Sequence, residues 1–169
     1  MTQPHYHAIY LAPHLDDVVL SCGGQIFEET QRGKRVLVVT IMAGDPPKTV
    51  SDYAQSLHTR WELAANATAV RRQEDLTACA ILGADTLHWQ IPDCIYRTHP
   101  ETSAPFYVSD HDIFGDIHPA ELYLVNQLSN QLAELPPSNQ IIAPLTVGNH
   151  VDHQVVQRAA IKYFGARLE

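Results

Sequence analysis

The sequence predicts a doubly wound, mostly parallel α/β sheet with helices on both faces, and two observations carry that prediction. Short apolar, β-rich runs alternate with helix-patterned segments along the chain, in the order β-α-β-α-β-α-β-α. That alternation implies parallel strands joined by right-handed helical crossovers. The clearest run, residues 35–42 (RVLVVTIM), is nearly continuous Val, Ile and Leu, which suits a strand covered on both faces. A chain of 169 residues matches one domain and is long enough to bury a core without disulfides or metal staples.

The elements follow in order. Residues 7–12 (HAIYLA) form a short buried strand, and PHLDD follows it. Residues 21–31 carry Ile26 and Phe27 opposite a polar side, and Gly33 stops that helix. After the strand at 35–42, residues 43–49 (AGDPPKT) form a loop. Residues 61–82 are helix-like, most clearly over 69–82, where Val70, Leu76, Cys79, Ala80 and Leu82 line one face and Gly83 ends the run. Residues 86–90 (TLHWQ) form a short strand. Residues 91–118 hold Pro92, Pro100, Pro105 and Gly115 and read as a long irregular excursion, which at that length is functional or disordered. A helix over 119–135 starts on Pro119 and stops at Pro136-Pro137. A strand at 140–143 (QIIA), the loop PLTVGNH and a final helix over 151–164 complete the chain.

Composition removes several classes of function. Hydrophobic residues make up 45% of the chain and charged residues 18%, which is a globular composition. No apolar run is long enough to span a bilayer, and the N-terminus lacks a signal-peptide pattern, so a cytoplasmic location is expected. The formal charge of −8 comes with no basic stripe, which argues against nucleic acid as a partner. The cysteines, Cys22, Cys79 and Cys94, are odd in number and show no CxxC spacing, so neither a disulfide framework nor a zinc knuckle is expected. Gly23-Gly24 lacks a dinucleotide or P-loop pattern, and there is no GxSxG elbow.

Ten histidines are present, several of them beside Asp. In open α/β sheets ligands bind beyond the carboxyl ends of the strands. After the first strand come Pro13, His14, Leu15, Asp16 and Asp17; after the last come Gly148, Asn149, His150, Val151, Asp152 and His153. The fold class brings these loops to one edge. His14, Asp17, His150 and His153 make a divalent-metal set. Zinc takes His nitrogen and Asp oxygen, and a donor set without thiolate also admits Fe(II), Mn or Co. Asp16 and Asp17 are adjacent, so their carboxylates must diverge. One can hold metal while the other serves as a general base. The remaining histidines, His5, His7, His58, His88, His99, His111 and His118, are read as structural or surface groups.

These motifs resemble the signature of the PIG-L/LmbE-type zinc de-N-acetylases, the family of GlcNAc-phosphatidylinositol de-N-acetylase-like enzymes. Its members carry [AP]-H-P-D-D after a strand and H-x-D-H late in the domain; this chain has PHLDD at 13–17 and HVDH at 150–153. RRQEDLTACAILGA is similar to the family's R-x-x-E helix, and LSCGG, PDCIYR and APLTVGNHVDH resemble a bacterial PHLDD branch. The resemblance implies a Rossmann-like fold and zinc held by His14, Asp17 and His153. It implies Asp16 as general base, His150 as support for the oxyanion, and Asp152 as a carboxylate orienting a histidine from behind. Arg72 and Glu74 fall in the helix motif, and Arg72, Asp93 and Arg97 are candidate substrate contacts. The implied activity is removal of acetyl from an N-acetylated amino sugar or its conjugate. The alternatives are a weak or inactive metal- or sugar-binding member, or a metal hydrolase of another amide or ester. The expected partner is that small molecule; a homo-oligomer is compatible with this reading. Leu15 replaces the usual Pro, and Val18 replaces a common Glu. Related domains continue for several tens of residues past the final helix. Residues 1–169 are therefore expected to be a single domain shortened at its C-terminus, natively or by truncation.

Overall fold

The computed structural model describes residues 4–61 and 66–168. Four parallel strands, β1 (Tyr6–Ala12), β2 (Val36–Thr40), β3 (Asp85–His88) and β4 (Ser138–Ile142), lie in the order β3-β2-β1-β4. β1 is central, with Tyr10 in register with Val38 on one side and Ile142 on the other. Strand side chains alternate between faces, and the core divides accordingly. Ile9 and Leu11 pack with α5 (Tyr123–Leu132) and α6 (Val151–Phe164), through Leu124, Leu128, Val155 and Ala159. Ala8, Tyr10 and Ala12 face α1 (Asp17–Gln31) and α3 (Ala67–Leu82), through Val18, Ile26 and Cys79. Both faces are covered, as the unbroken apolar strands require, and each fully buried Leu, Ile or Val contributes about 1.5–3 kcal/mol.

The chain runs outward from β1 through β2 to β3, then crosses to β4 on the other side of β1. The switch point therefore lies between the carboxyl ends of β1 and β4, where this architecture places its ligand site.

The structure differs from the sequence expectations at several boundaries. α1 starts at Asp17 rather than Ser21, because the acidic turn itself opens the helix: Leu20 N–H donates to Asp16 O at 2.9 Å. The helix expected over 61–82 is α3 from Ala67, and residues 62–65 lie outside the described set. α2 (Asp52–Arg60) was not foreseen. It buries only Ala54 and Leu57, too few apolar positions to show a period, and its start signal is the Ser51 side chain accepting from Ala54 N–H at 3.1 Å. The helix expected at 119–135 begins as a 3-10 turn over Pro119–Glu121 before α5.

The excursion over 91–118 is ordered. It contains α4 (Asp110–Ile113) and a paired segment in which His99 N–H meets Ala104 O at 2.8 Å and Phe106 N–H meets Arg97 O at 3.1 Å. Cys94, Ile95, Phe106, Tyr107 and Ile113 form a core of their own with Ala54 and Leu57 of α2 and Val151 of α6. Gly44 anchors its start: a Cβ there would sit 2.6 Å from Gln90 O. The excursion is thus packed against the switch point. Among the described residues no helix is long and apolar enough to cross a membrane.

Candidate metal centre

The loop after β1 and the start of α6 meet at the switch point. Asp16 has φ 92°, the left-handed region that Asp and Asn enter more readily than most residues. This turn separates the two carboxylates. Asp17 becomes the first residue of α1, where its Oδ2 accepts the His14 amide at 2.9 Å. Asp16 points into an open cavity of about 570 Å³ lined also by His14, Asp17, Asp93, His150 and His153.

Three donors converge. His14 Nδ1 lies 3.4 Å from Asp17 Oδ2, and His153 Nε2 lies 3.3 Å from the same oxygen. With metal–ligand bonds of about 2.0–2.2 Å, the edge of a tetrahedral zinc site is about 3.3–3.6 Å, so both histidine–Asp17 separations match such an edge. His14, His150 and His153 also bring ligand atoms within 4.8 Å of one another. The local field calls for a cation. Burial opposes charge on His14, yet Asp93, Asp152 and Asp17 raise its pKa well above the usual histidine value. Burial also opposes ionisation of Asp17, yet hydrogen bonds with His14 and His153 hold its carboxyl far below the usual range.

Behind these donors stands Asp152, fully buried. Its Oδ2 is 2.9 Å from His14 Nε2 and accepts the Cys94 amide at 3.0 Å. A carboxylate there keeps the His14 proton on Nε2 and leaves the Nδ1 lone pair toward Asp17, a common device for metal-binding histidines. Asp152→Asn is expected to weaken metal affinity about 10–100-fold, measured by competition with a chelator; unchanged affinity would remove Asp152 from this role.

His150 caps α6: its Nδ1 accepts the Asp152 amide at 3.2 Å. The neutral ring then carries its proton on Nε2 and is a donor there. Burial lowers the His150 pKa, and the neighbouring His14 and His153 lower it further against Asp152 and Asp93. Cys94 Sγ sits 4.0 Å from Nε2, and burial pushes that thiol's pKa up.

The candidate substrate contacts separate. Asp93 lines the cavity, with Oδ2 3.6 Å from His14 Nε2. Arg97 does not face it. Its side chain is only 7% exposed and pairs through two nitrogens with Glu121, at 2.5 and 3.1 Å, while Nη2 lies 2.6 Å from Asp152 Oδ1. That last contact is an ion pair without hydrogen-bond alignment. Tyr107 donates to the same Glu121 at 2.6 Å. Arg97 therefore belongs to a buried charge cluster that fixes Asp152. Arg72 is also taken, donating to Ala43 O at 2.7 Å and pairing with Asp45 at 2.6 Å. Its neighbour Arg71 is the cavity residue, donating to Leu15 O at 2.9 Å and to Asp16 Oδ2 at 3.2 Å. Burial raises the Asp16 pKa, Arg71 draws it down, and the Asp17 charge raises it again, with a net upward shift. Glu74 is exposed beside Arg71.

Sequence reasoning missed Arg71, Trp61 and Phe114. The two aromatics are about half exposed, and both line the cavity. Phe114 meets the His150 ring edge-on at 5.4 Å. The signal available was two apolar aromatics in otherwise polar surroundings; their placement on one cavity is a product of folding.

Known proteins resemble this chain in sequence and fold. The chain is 26% identical over 178 aligned positions to 2'-N-acetylparomamine deacetylase of Niallia circulans, covering 96% of this chain and 64% of that protein. It resembles a crystal structure of a deacetylase from the teicoplanin biosynthesis pathway, with 31% identity, TM-score 0.81, and coverage of 93% of this chain and 62% of the other. A zinc-inhibited form of teicoplanin deacetylase matches at 30% identity and TM-score 0.80, with the same coverages. The chain thus spans less than two thirds of the length of these relatives. Residues 9–164 match the PIG-L family, GlcNAc-PI de-N-acetylase. The match runs from within β1 to the last residue of α6 and takes in both histidine-aspartate loops, and the chain belongs to that family.

Proposed function

We propose that this chain is a divalent-metal-dependent hydrolase that removes acetyl from an N-acetylated amino sugar or its conjugate. The observation that carries the reading is that His14 Nδ1 and His153 Nε2 both lie at tetrahedral-edge distance from Asp17 Oδ2, with Asp16 in the same cavity. The names of the relatives, a 2'-N-acetylparomamine deacetylase and a deacetylase of the teicoplanin biosynthesis pathway, support an N-acetylated substrate.

His14, Asp17 and His153 would hold the ion, and zinc is the expected one. A bound divalent ion supplies Lewis acidity, lowering the pKa of water toward ~7 and polarising a carbonyl. The chain's own groups do the rest. Asp16 Oδ2 is held by Arg71, leaving Oδ1 to take the proton of the attacking water. The raised pKa of Asp16 improves its match to that task. His150 Nε2–H donates to the carbonyl oxygen as negative charge develops, a contribution worth about 2.7–4 kcal/mol per donor in acyl transfer. Asp16 then returns its proton to the departing amine.

The test is acetate release from a panel of N-acetylglucosamine and N-acetylglucosaminyl conjugates, with Zn, Co, Mn and Fe(II) reconstituted separately. Occupancy and turnover are measured independently, because a relative has a zinc-inhibited form. Acetate release that depends on one of these ions is the expected result. Sugar binding without acetate release would replace the enzyme with a binding protein, and release of another acid would change the substrate class.

Trp61 and Phe114 are the proposed platforms for sugar faces, with Asp93 lining the same cavity. Trp61→Ala and Phe114→Ala are each expected to raise KM about 2–10-fold, equivalent to the ~0.5–1.5 kcal/mol of one aromatic contact. Metal content should be unchanged. A KM equal to wild type in both variants would remove them from recognition.

A further inference from the structure

The strain at Asp16 needs a counterweight, and α3 supplies one. A non-glycine residue at φ 92° is held in a sparsely populated region, which persists only where its surroundings enforce it. The Asp16 amide donates to Asp75 Oδ1 at 3.2 Å. Asp75 is a nearly fully buried carboxylate, 4% exposed, on a helix that otherwise presents Cys79 to the core. Its other oxygen is engaged twice: by His88 Nε2 at 2.7 Å and by Thr40 Oγ1 at 3.3 Å. Thr40 and His88 are register partners at the carboxyl ends of β2 and β3. The sheet edge therefore clamps Oδ2 of Asp75 so that Oδ1 meets the amide of Asp16. One helical turn earlier on α3, Arg71 holds the carbonyl of Leu15 and the carboxylate of Asp16.

We infer that Asp75, held by His88 and Thr40, is a positioning residue that sets the backbone of Asp16 and with it the direction of the proposed base. The inference rests on the reading of Asp16 as that base. The three groups make no contact with the cavity, and His88 is thereby more than a core histidine: it is a relay of position from the sheet to the strained turn. An alternative role exists, since Asp16 O also opens α1 through Leu20 N–H. A residue that only started the helix would lose stability, metal and activity together. A positioning residue loses kcat while metal content and KM hold.

The experiment compares Asp75→Ala, Asp75→Asn, His88→Gln and Thr40→Val in the full chain, with Asp16→Asn as reference, by metal content, KM and kcat on the N-acetylglucosamine panel. The amide resonance and hydrogen-exchange rate of Asp16 are recorded on labelled protein. Misplacing a reacting group by about 1 Å costs about 10²-fold, so Asp75→Ala is expected to lower kcat roughly 10–100-fold, with KM and metal unchanged and Asp16 exchange accelerated. Asp75→Asn keeps an acceptor for the amide and should restore kcat to within a few-fold of wild type. His88→Gln and Thr40→Val each loosen one strut and should give smaller falls. If Asp75→Ala does not fold, the His88 and Thr40 variants decide alone. Wild-type kcat and Asp16 exchange in both would overturn the inference, as would equal loss in Asp75→Asn and Asp75→Ala. Full turnover by Asp16→Asn would instead overturn the reading beneath it. If no substrate on the panel turns over, the Asp16 exchange rates still decide whether Asp75 holds that turn.

Discussion

Asp16→Asn is expected to lower kcat by roughly 10²–10⁴, the span of a positioned acid–base group, while metal content stays at the wild-type level. Asparagine keeps the size of the side chain and can still accept from Arg71, which reaches Oδ2 at 3.2 Å. What it loses is the ability to take a proton. Asp17→Asn should behave differently. Its Oδ2 meets both His14 Nδ1 and His153 Nε2, and a neutral amide oxygen donates less charge to an ion. Occupancy and activity should fall together, as in His153→Ala. His150→Ala should follow the Asp16 pattern, with metal retained and kcat reduced. The measurement is elemental analysis and kcat for all four proteins. Metal loss in Asp16→Asn with retention in Asp17→Asn would reverse the two carboxylates. Full turnover in the Asp16 variant would move the base elsewhere.

The site was legible where its chemistry is local. PHLDD and HVDH each place metal-type donors within five residues, and the alternating pattern of strands and helices brings both to one edge. The structure puts all of these side chains, with Asp93, around one centre. The divergence of Asp16 and Asp17 was also foreseeable from adjacency, although the means, a left-handed residue, was not.

What could not be read from the sequence depends on partners far along the chain. Arg97 sits in a polar stretch and looks free to meet a ligand. Only folding shows that Glu121 and Asp152 surround it. Arg71 and Arg72 are about 100° apart on one helix, and both flank the buried stripe through Asp75 and Cys79. One reaches the loop after β1 and the other the loop after β2. Nothing in RRQED says which. α2 was invisible for another reason: nine residues with two buried side chains carry almost no periodic signal. The departures from the family pattern fall at packed positions. Leu15 and Val18 are both buried, so each substitutes packing for the rigidity or polarity of the usual residue.

Replacing Arg97 with Met is expected to be the most destabilising change outside the apolar core. The guanidinium is the cation between two fully buried carboxylates, Glu121 and Asp152. It also donates to Pro92 O at 3.1 Å. Methionine fills similar space but strips Glu121 of its cation and leaves Asp152 to His14 and the Cys94 amide, and breaking a buried ion pair in this way costs about 3–5 kcal/mol. For a chain of this size each kcal/mol lowers Tm by about 2–4 °C, so the loss should be roughly 6–20 °C. Adding Glu121→Gln to Arg97→Met removes one of the stranded charges while keeping a partner for Tyr107, which donates to Glu121 at 2.6 Å. The double variant should therefore melt above the single one. The same change should reach the metal site. Asp152 freed from Arg97 no longer holds His14 Nε2 in one orientation, so chelator competition should show weaker metal binding in Arg97→Met even well below its melting temperature. Thermal unfolding of the wild type, the single and the double variant, with metal competition on each, separates these effects. A single variant that melts within about 2 °C of wild type, less than the ~2–4 °C expected from one kcal/mol, would mean that the cluster is solvated in the folded protein. A variant that is destabilised yet binds metal normally would show that Asp152 keeps its place without Arg97, held by the Cys94 amide and His14 alone.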